Sequence, residues 1–509
     1  MNQKLRGQIF GTLIILCSNF ISVQGSAASF PVFDFSHSFV CSPEQSVGCN
    51  GLFQIHEQDA SEMALLTNGE ASFIERLRTL ENAKKSIRIQ TLAFKGDESG
   101  LKIAEILKRK KAEGLDVRII VDGISNSEYQ TQTLYFDLKD HEIEVEGFEA
   151  GYLQWVNEVS LSHYSHPNKR FHEKMWIIDG EDPSGLAIIG GMNIANEYFR
   201  IGLKPKNIWR DQDMIVRGSV VKDVVETFER DYQYFKQLKA SNPFLFDTDY
   251  YWKSWNAGIK QCFGEVFCCL MDKEGNPTFQ YCKDKTLSAM VEQVYQQALS
   301  KSSDLSFKPG KTRFFQNRPR FKETYIQQVY LDQIRAAKKE ILIANSYFFP
   351  SDEVIQELRA AADRGVHVIL LTNSKATNDV PFITAGTRYT YLDLMQSKAA
   401  SAKGDLKVFE WEGHRFGEGT LHAKFAVFDQ EVGIVGSYNL DVRSEKLNSE
   451  TVMVFESPEQ ATELALQFLH FDLKKSREIS LEEAKEFHNL KRIDHLIEYM
   501  ISKKFKGQL

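Results

Sequence analysis

Two short stretches of this chain read almost alike and carry groups able to act as acid, base and nucleophile. His172-Glu173-Lys174 runs on to Asp179, and His422-Ala423-Lys424 runs on to Asp429. Residues two apart on an extended strand share a face, so each histidine points the same way as its lysine. Apolar runs at 175–178 and 425–428 mark both strands as buried. A single histidine on a strand is more often structural than catalytic; the duplication changes that reading. Two copies brought face to face set two imidazoles and two ammonium groups around one pocket, where they repel unless an anion sits between them. A phosphodiester supplies that anion. One neutral imidazole attacks phosphorus while the opposite imidazolium protonates the departing oxygen. Both forms are accessible near the ordinary histidine pKa of ~6.5. The lysines neutralise the phosphoryl oxygens, and neither a metal nor an organic cofactor is expected.

The elements around these residues repeat in the same order. Ala83-Lys84-Lys85-Ser86-Ile87-Arg88-Ile89 is answered by Ala337-Lys338-Lys339-Glu340-Ile341-Leu342-Ile343. In each half a helical stretch (100–113; 352–364) then stops at a glycine (Gly114; Gly365) before an apolar strand (117–121; 366–371). A second strand (174–178; 424–428) leads to Gly190-Gly191 or Gly436-Ser437. Alternating helices and strands predict α/β units with parallel strands. The offset of about 250 residues far exceeds the ~20–50 residues of a solenoid repeat and indicates duplicated domains. The expected fold is two α/β sandwich domains related by pseudo-twofold symmetry, with the active site at their interface. The expected boundaries are a leader at 1–28, a first domain at 29–240, a cysteine-containing connector at 241–320, a second domain at 321–457 and a helical extension at 458–509.

The doubled H-x-K-x-x-x-x-D motif resembles the signature of the phospholipase D superfamily. In the second half, Gly436-Ser437-Tyr438-Asn439, Asp441-Val442-Arg443-Ser444 and Leu447-Asn448-Ser449-Glu450, with Tyr347-Phe348-Phe349-Pro350, are similar to bacterial cardiolipin synthases. The first half adds Gly190-Gly191-Met192-Asn193 and Trp209-Arg210-Asp211, and the likeness runs from about Met63 to Phe455. This resemblance implies a phosphohistidine intermediate on His172, with His422 as proton donor and Lys174 and Lys424 on the phosphate. It further implies that Asn193 and Asn439 contact phosphate and that a carboxylate after each motif, Asp213 and Glu450, holds the free nitrogen of its histidine. Ser437 is expected to hydrogen-bond a leaving oxygen. Asp179 and Asp429, at the far ends of their strands, are read as structural.

The chain has 509 residues, 42% hydrophobic and 26% charged, with a formal charge of −7. That acidity disfavours nucleic acid as a partner, since nonspecific nucleic-acid binding rests on positive charge. The expected substrate is a glycerophospholipid in a membrane or vesicle surface, acted on by hydrolysis or phosphatidyl transfer. A secreted nuclease and an inactive lipid-binding protein are the rival readings. Lys4 and Arg6 precede an apolar run at 9–23 and the small residues Gly25, Ser26, Ala27 and Ala28, the order of a cleaved signal peptide, with an uncleaved anchor as alternative. Periplasmic or secreted location is expected. Cys41, Cys49, Cys262, Cys268, Cys269 and Cys282 then become candidates for disulfides. A monomer containing an internal pseudo-dimer is expected.

Overall fold

The computed structural model describes residues 55–147, 170–241, 281–396 and 404–489, apart from positions 57, 124, 127, 282 and 301, together with position 500. These residues all belong to one compact unit. The leader, the six cysteines and the apolar end of the extension lie outside the described residues.

Two eight-stranded mixed sheets form the body. In the first, the strands run in the order Glu144–Glu146, Asp116–Val121, Ser86–Thr91, Met175–Ile178, Leu186–Gly190, Asp213–Gly218, Ser61–Leu66 and Lys308–Pro309. The second runs Ser476–Glu478, Leu406–Trp411, His367–Asn373, Glu340–Asn345, Lys424–Phe428, Val432–Gly436, Glu450–Glu456 and Lys311–Asn317. The order is the same from Leu406–Trp411 onward as from Glu144–Glu146 onward, so the duplication seen in sequence is a duplication of topology.

Each parallel pair is joined by a helix whose ends are set by its sequence. Asp97 caps Glu98–Ala112 by accepting from Gly100 N at 3.0 Å, and Arg109, Lys110 and Lys111 in the last turn suit the negative helix end. Gly114 (φ 95°) and Gly365 (φ 105°) take the left-handed conformation just past the helices, as their positions predict. In Asp352–Arg364, Val354, Ile355, Leu358, Ala361 and Ala362 form the buried face.

Strand alternation divides the core into layers. Trp176 and Ile178 face the first half's helices, and Ala426 and Phe428 face the second's. Met175 and Ile177 instead join Phe425, Val427, Val435 and Met453 in a core shared by both halves. Each such side chain contributes about 1.5–3 kcal/mol on burial, so this layer fixes one half on the other.

Two expected boundaries move. The helix Lys285–Ser300 buries Val291, Val294 and Ala298 in the first half's core, and Lys311–Asn317 is the edge strand of the second sheet, so both belong to the body rather than to a connector. At the other end, Pro458–Gln467 buries Ala461, Leu464 and Ala465 in the shared core. There it matches Val220–Ser241 of the first half, which buries Val220, Val221, Val224 and Phe228. No helix among the described residues is long and apolar enough to cross a membrane.

Candidate active site

Both motifs enter their strands through backbone pairing with the other half. His172 N donates to Ser449 O at 2.9 Å, and Ser449 N returns to Arg170 O at 2.9 Å. Thr420–Leu421 pairs in parallel with Trp209–Arg210, and His422 N donates to Arg210 O at 2.7 Å. Asp122 accepts from Phe171 N at 3.2 Å, and Asn373 accepts from Leu421 N at 3.1 Å, so the residue before each histidine is held alike.

The side chains cross over in the same way. His172 Nδ1 lies 2.8 Å from Glu450 Oε2, and His422 Nδ1 lies 2.7 Å from Asp211 Oδ2. Each imidazole therefore takes its acid from the opposite half. An ionised carboxylate only accepts, so it fixes the proton on Nδ1 and leaves the Nε2 lone pair for chemistry. Glu450 also accepts from Ser437 Oγ (2.6 Å), Ser444 Oγ (2.7 Å) and Asn448 Nδ2 (3.2 Å). Burial raises its pKa, but His172, Lys174 and the Ser437 hydroxyl outweigh that and hold it below the usual value. Asp211 has fewer donors, accepting from Gln212 N at 2.7 Å, and burial pushes its carboxyl up.

Asp213 does not reach either histidine. Its carboxylate accepts from Ser72 Oγ at 2.6 Å and Arg76 Nη1 at 2.9 Å within the first half. The ladder register explains the displacement. Gly190 pairs with Asp213, whereas Gly436 pairs with Val452, so Asp213 corresponds to Val452 and Asp211 corresponds to Glu450. Ser437 is also corrected, because its hydroxyl donates to Glu450 and its oxygen accepts from Thr451 N at 3.0 Å. It supports the acid instead of facing a leaving group. In the first half the same place is Gly191, where an added Cβ would sit 2.4 Å from Asp211 Oδ1.

The four groups around the pocket feel one another. Burial pushes His172 down to about 4, against the pull of Glu450, with Lys174 and Lys424 adding to the depression. His422 falls well below the usual imidazole value through burial, Lys424, Lys174 and His172. Burial brings Lys174 to about 7 and Lys424 to about 8, and Lys424 depresses Lys174 further. Each ammonium turns to its own histidine's carbonyl, Lys174 Nζ to His172 O at 2.6 Å and Lys424 Nζ to His422 O. Two ammonium groups buried together, their charge disfavoured chiefly by burial, suit a site that receives an anion.

Asn193 and Asn439 occupy matching places in the two repeats, three residues past Gly190 and Gly436. Asn193 Oδ1 accepts from Thr91 Oγ1 and Ala93 N, both at 3.1 Å, and its Nδ2 donates to Tyr198 OH at 2.7 Å. Asn439 Oδ1 accepts from Ser346 Oγ at 2.9 Å, which aims the amide hydrogens away from that contact. Asp179 and Asp429 stand at the far strand ends with φ of 50° and 55°. Asp179 accepts from the backbone N–H groups of Lys84, Lys85 and Ser86, and Asp429 from those of Lys338, Lys339 and Glu340, at 2.7–3.0 Å in each case. The repeated Ala-Lys-Lys segment is thus clamped by the last residue of each motif.

Sequence reasoning missed the aromatic wall on one side. The rings of Trp209, Tyr198 and Tyr347 lie 5.0, 5.1 and 6.3 Å from that of His422, and Tyr347 OH donates to Asp379 at 2.7 Å. Trp209 two residues before Asp211 was the available signal.

The cardiolipin synthase, PLD-like domain family matches residues 77–232 and 330–471. Cardiolipin synthase 1 of Bacillus anthracis is 27% identical over 422 residues, 83% of this chain and 68% of that protein. Cardiolipin synthase A of Pseudomonas fluorescens is 25% identical over 443 residues, 87% and 74% of the two chains. Phosphatidylserine synthase from Haemophilus influenzae shares the fold, with a TM-score of 0.60 and 16% identity over 92% of this chain and 99% of that one. The two matched segments make up more than half of the chain, and each holds one histidine, one lysine and one acid of the crossed pairs. This chain therefore belongs to the cardiolipin synthase, PLD-like domain family of the phospholipase D superfamily, an enzyme of the phosphodiesterase and phosphatidyltransferase class.

Proposed function

We propose that the protein transfers a phosphatidyl group from one glycerophospholipid, such as phosphatidylglycerol, to a hydroxyl of another. The observation that carries this reading is the pair of crossed histidine–acid contacts closing around Lys174 and Lys424. His172 Nε2 attacks phosphorus, the P–O bond to the headgroup breaks, and the leaving alkoxide takes the Nε2 proton of His422. The acceptor hydroxyl then gives its proton to His422, its oxygen attacks phosphorus, and the P–N bond returns its electrons to His172. Between these steps the lysines and the amides of Asn193 and Asn439 hold the phosphoryl oxygens. The diester's own negative charge opposes the depression of His422 and lets it carry the proton.

His172 suits the nucleophilic role because Glu450, bound by four donors, fixes its tautomer. The rings beside His422 favour an alcohol over water as acceptor by limiting hydration of the phosphohistidine. Export is inferred from the leader-like sequence at 1–28, and a monomer from the pseudo-dimer within one chain.

Pure phosphatidylglycerol vesicles should yield cardiolipin and free glycerol in equal amounts, and excess glycerol should suppress the cardiolipin. Phosphatidic acid as the sole lipid product would replace transfer with hydrolysis.

A further inference from the structure

Beside His422, two loops from opposite halves are locked together and carry exposed apolar and basic side chains. One is the segment 200–208, part of a stretch between Asn193 and Asp211 that is longer than its counterpart between Asn439 and Glu450. The other is the segment 413–419. Gly419 lies so close to the first loop that an added Cβ would meet Ile208 O at 1.6 Å and Pro205 O at 2.9 Å. Thr420 N donates to Ile208 O at 3.2 Å, and Glu418 bridges Arg200 (3.0 Å) and Lys475. The paired segments lead on to Trp209 on one side and to Thr420, two residues before His422, on the other.

Loops paired in this way still leave their tips in water. Leu203 is 65% exposed, the most exposed large apolar side chain among the described residues, and Phe416 is 49% exposed. Lys204, Lys206 and Arg415 are exposed beside them. The segment 200–209 contains no acid, while both acids at 412–419 are engaged, Glu412 with Arg415 at 2.7 Å and Glu418 as above. A chain of net charge −7 has thus placed two lysines, Lys204 and Lys206, without an acidic partner among the described residues beside two apolar tips next to its active site. Apolar insertion flanked by cations is the pattern that binds an anionic bilayer surface.

We propose that Leu203 and Phe416, with Lys204 and Lys206, dock the enzyme on an anionic phospholipid bilayer and set the pocket against it. This rests on the lipid reading of the site and adds the face through which lipid arrives.

The test uses the full chain. Replacing Leu203→Ser and Phe416→Ser together should cut turnover of phosphatidylglycerol vesicles about tenfold. Cleavage of water-soluble bis(4-nitrophenyl) phosphate should change less than about twofold, because no catalytic contact is altered. Separately, Phe416→Trp should add fluorescence quenching by brominated lipid in phosphatidylglycerol vesicles and little in phosphatidylcholine vesicles. Quenching reads docking even if the wild type turns over no lipid, so failure of the lipid reaction is told apart from failure of the docking face. Absence of added quenching, equal quenching on both vesicle types, unchanged vesicle turnover, or equal loss on the soluble diester would each overturn the proposal.

Discussion

The surroundings of His172 and His422 are related by the pseudo-twofold axis and share their backbone and lysine contacts, yet they differ in what surrounds the acid and the ring. Glu450 is wrapped by Ser437, Ser444 and Asn448, while Asp211 faces Gly191 where Ser437 would be. The wall of Tyr198, Trp209 and Tyr347 stands at His422, and their counterparts by position in the repeat, Ser444, Asn448 and Ala93, are small or polar. Duplication supplies two equal imidazoles, and the residues around them have diverged. Under the proposed mechanism, a polar cradle that keeps Glu450 ionised suits His172 as the histidine that bonds phosphorus. An apolar wall suits His422 as the one that passes a proton between alcohol oxygens away from water.

The sharpest way to break this comparison is to remove each imidazole in turn. His172→Ala and His422→Ala should each lower lipid turnover by about 10³-fold or more. With a diester that releases 4-nitrophenol, a leaving group needing no acid, His422→Ala should still form the phosphohistidine. His172→Ala should not. Rapid-quench nitrophenol release and peptide mass spectrometry read this directly, and phosphate on His422 would reverse the assignment.

Exchanging the acids should have the next largest effect. Glu450→Gln is expected to cost roughly 10²-fold or more with any leaving group, because an amide can favour the wrong tautomer of His172. Asp211→Asn should cost about 10²-fold with lipid and less than about tenfold with the nitrophenyl diester. Equal losses with both substrates would remove the distinction between the two sides.

These two acids also mark how far the sequence was legible. The duplicated strands, the helix from Asp352 to Arg364 and the glycine stops follow from periodicity and local conformation, and the structure has them where the sequence places them. Asp211 was hidden because loops of unequal length separate the glycine pair from the acid in the two halves, so only the ladder register aligns it with Glu450. The direction of the Ser437 hydroxyl was equally unreadable, since it depends on a strand partner fourteen residues away. Lys311–Asn317 mixes charged, aromatic and amide side chains without alternation, and its place at the edge of the second sheet comes from pairing with Glu450–Glu456.

The smallest effect concerns the cations that both sides share. Lys174 and Lys424 have folded-state values lowered to about 7 and about 8, so the empty site holds its ammonium charge below that range and loses it as pH rises through it. Inhibition by dimethyl phosphate, whose own charge is constant there, should weaken about tenfold from about pH 7 to about pH 9. Lys174→Met should make the dependence shallower and leave the part set by Lys424, and Lys174→Met with Lys424→Met should flatten it. A wild-type inhibition constant independent of pH would show that the lysines do not govern anion binding.

Along the chain, Glu450 follows His172 by 278 residues, and His422 follows Asp211 by 211. Contacts so distant form late, after the local helices and strand pairs. A ribosome that has finished the whole first half has made His172 and Lys174 but neither the acid that orients the imidazole nor the opposite proton donor. The nascent first half therefore holds no complete histidine–acid pair, and the site is assembled only when the last strands of the second sheet close on the first half.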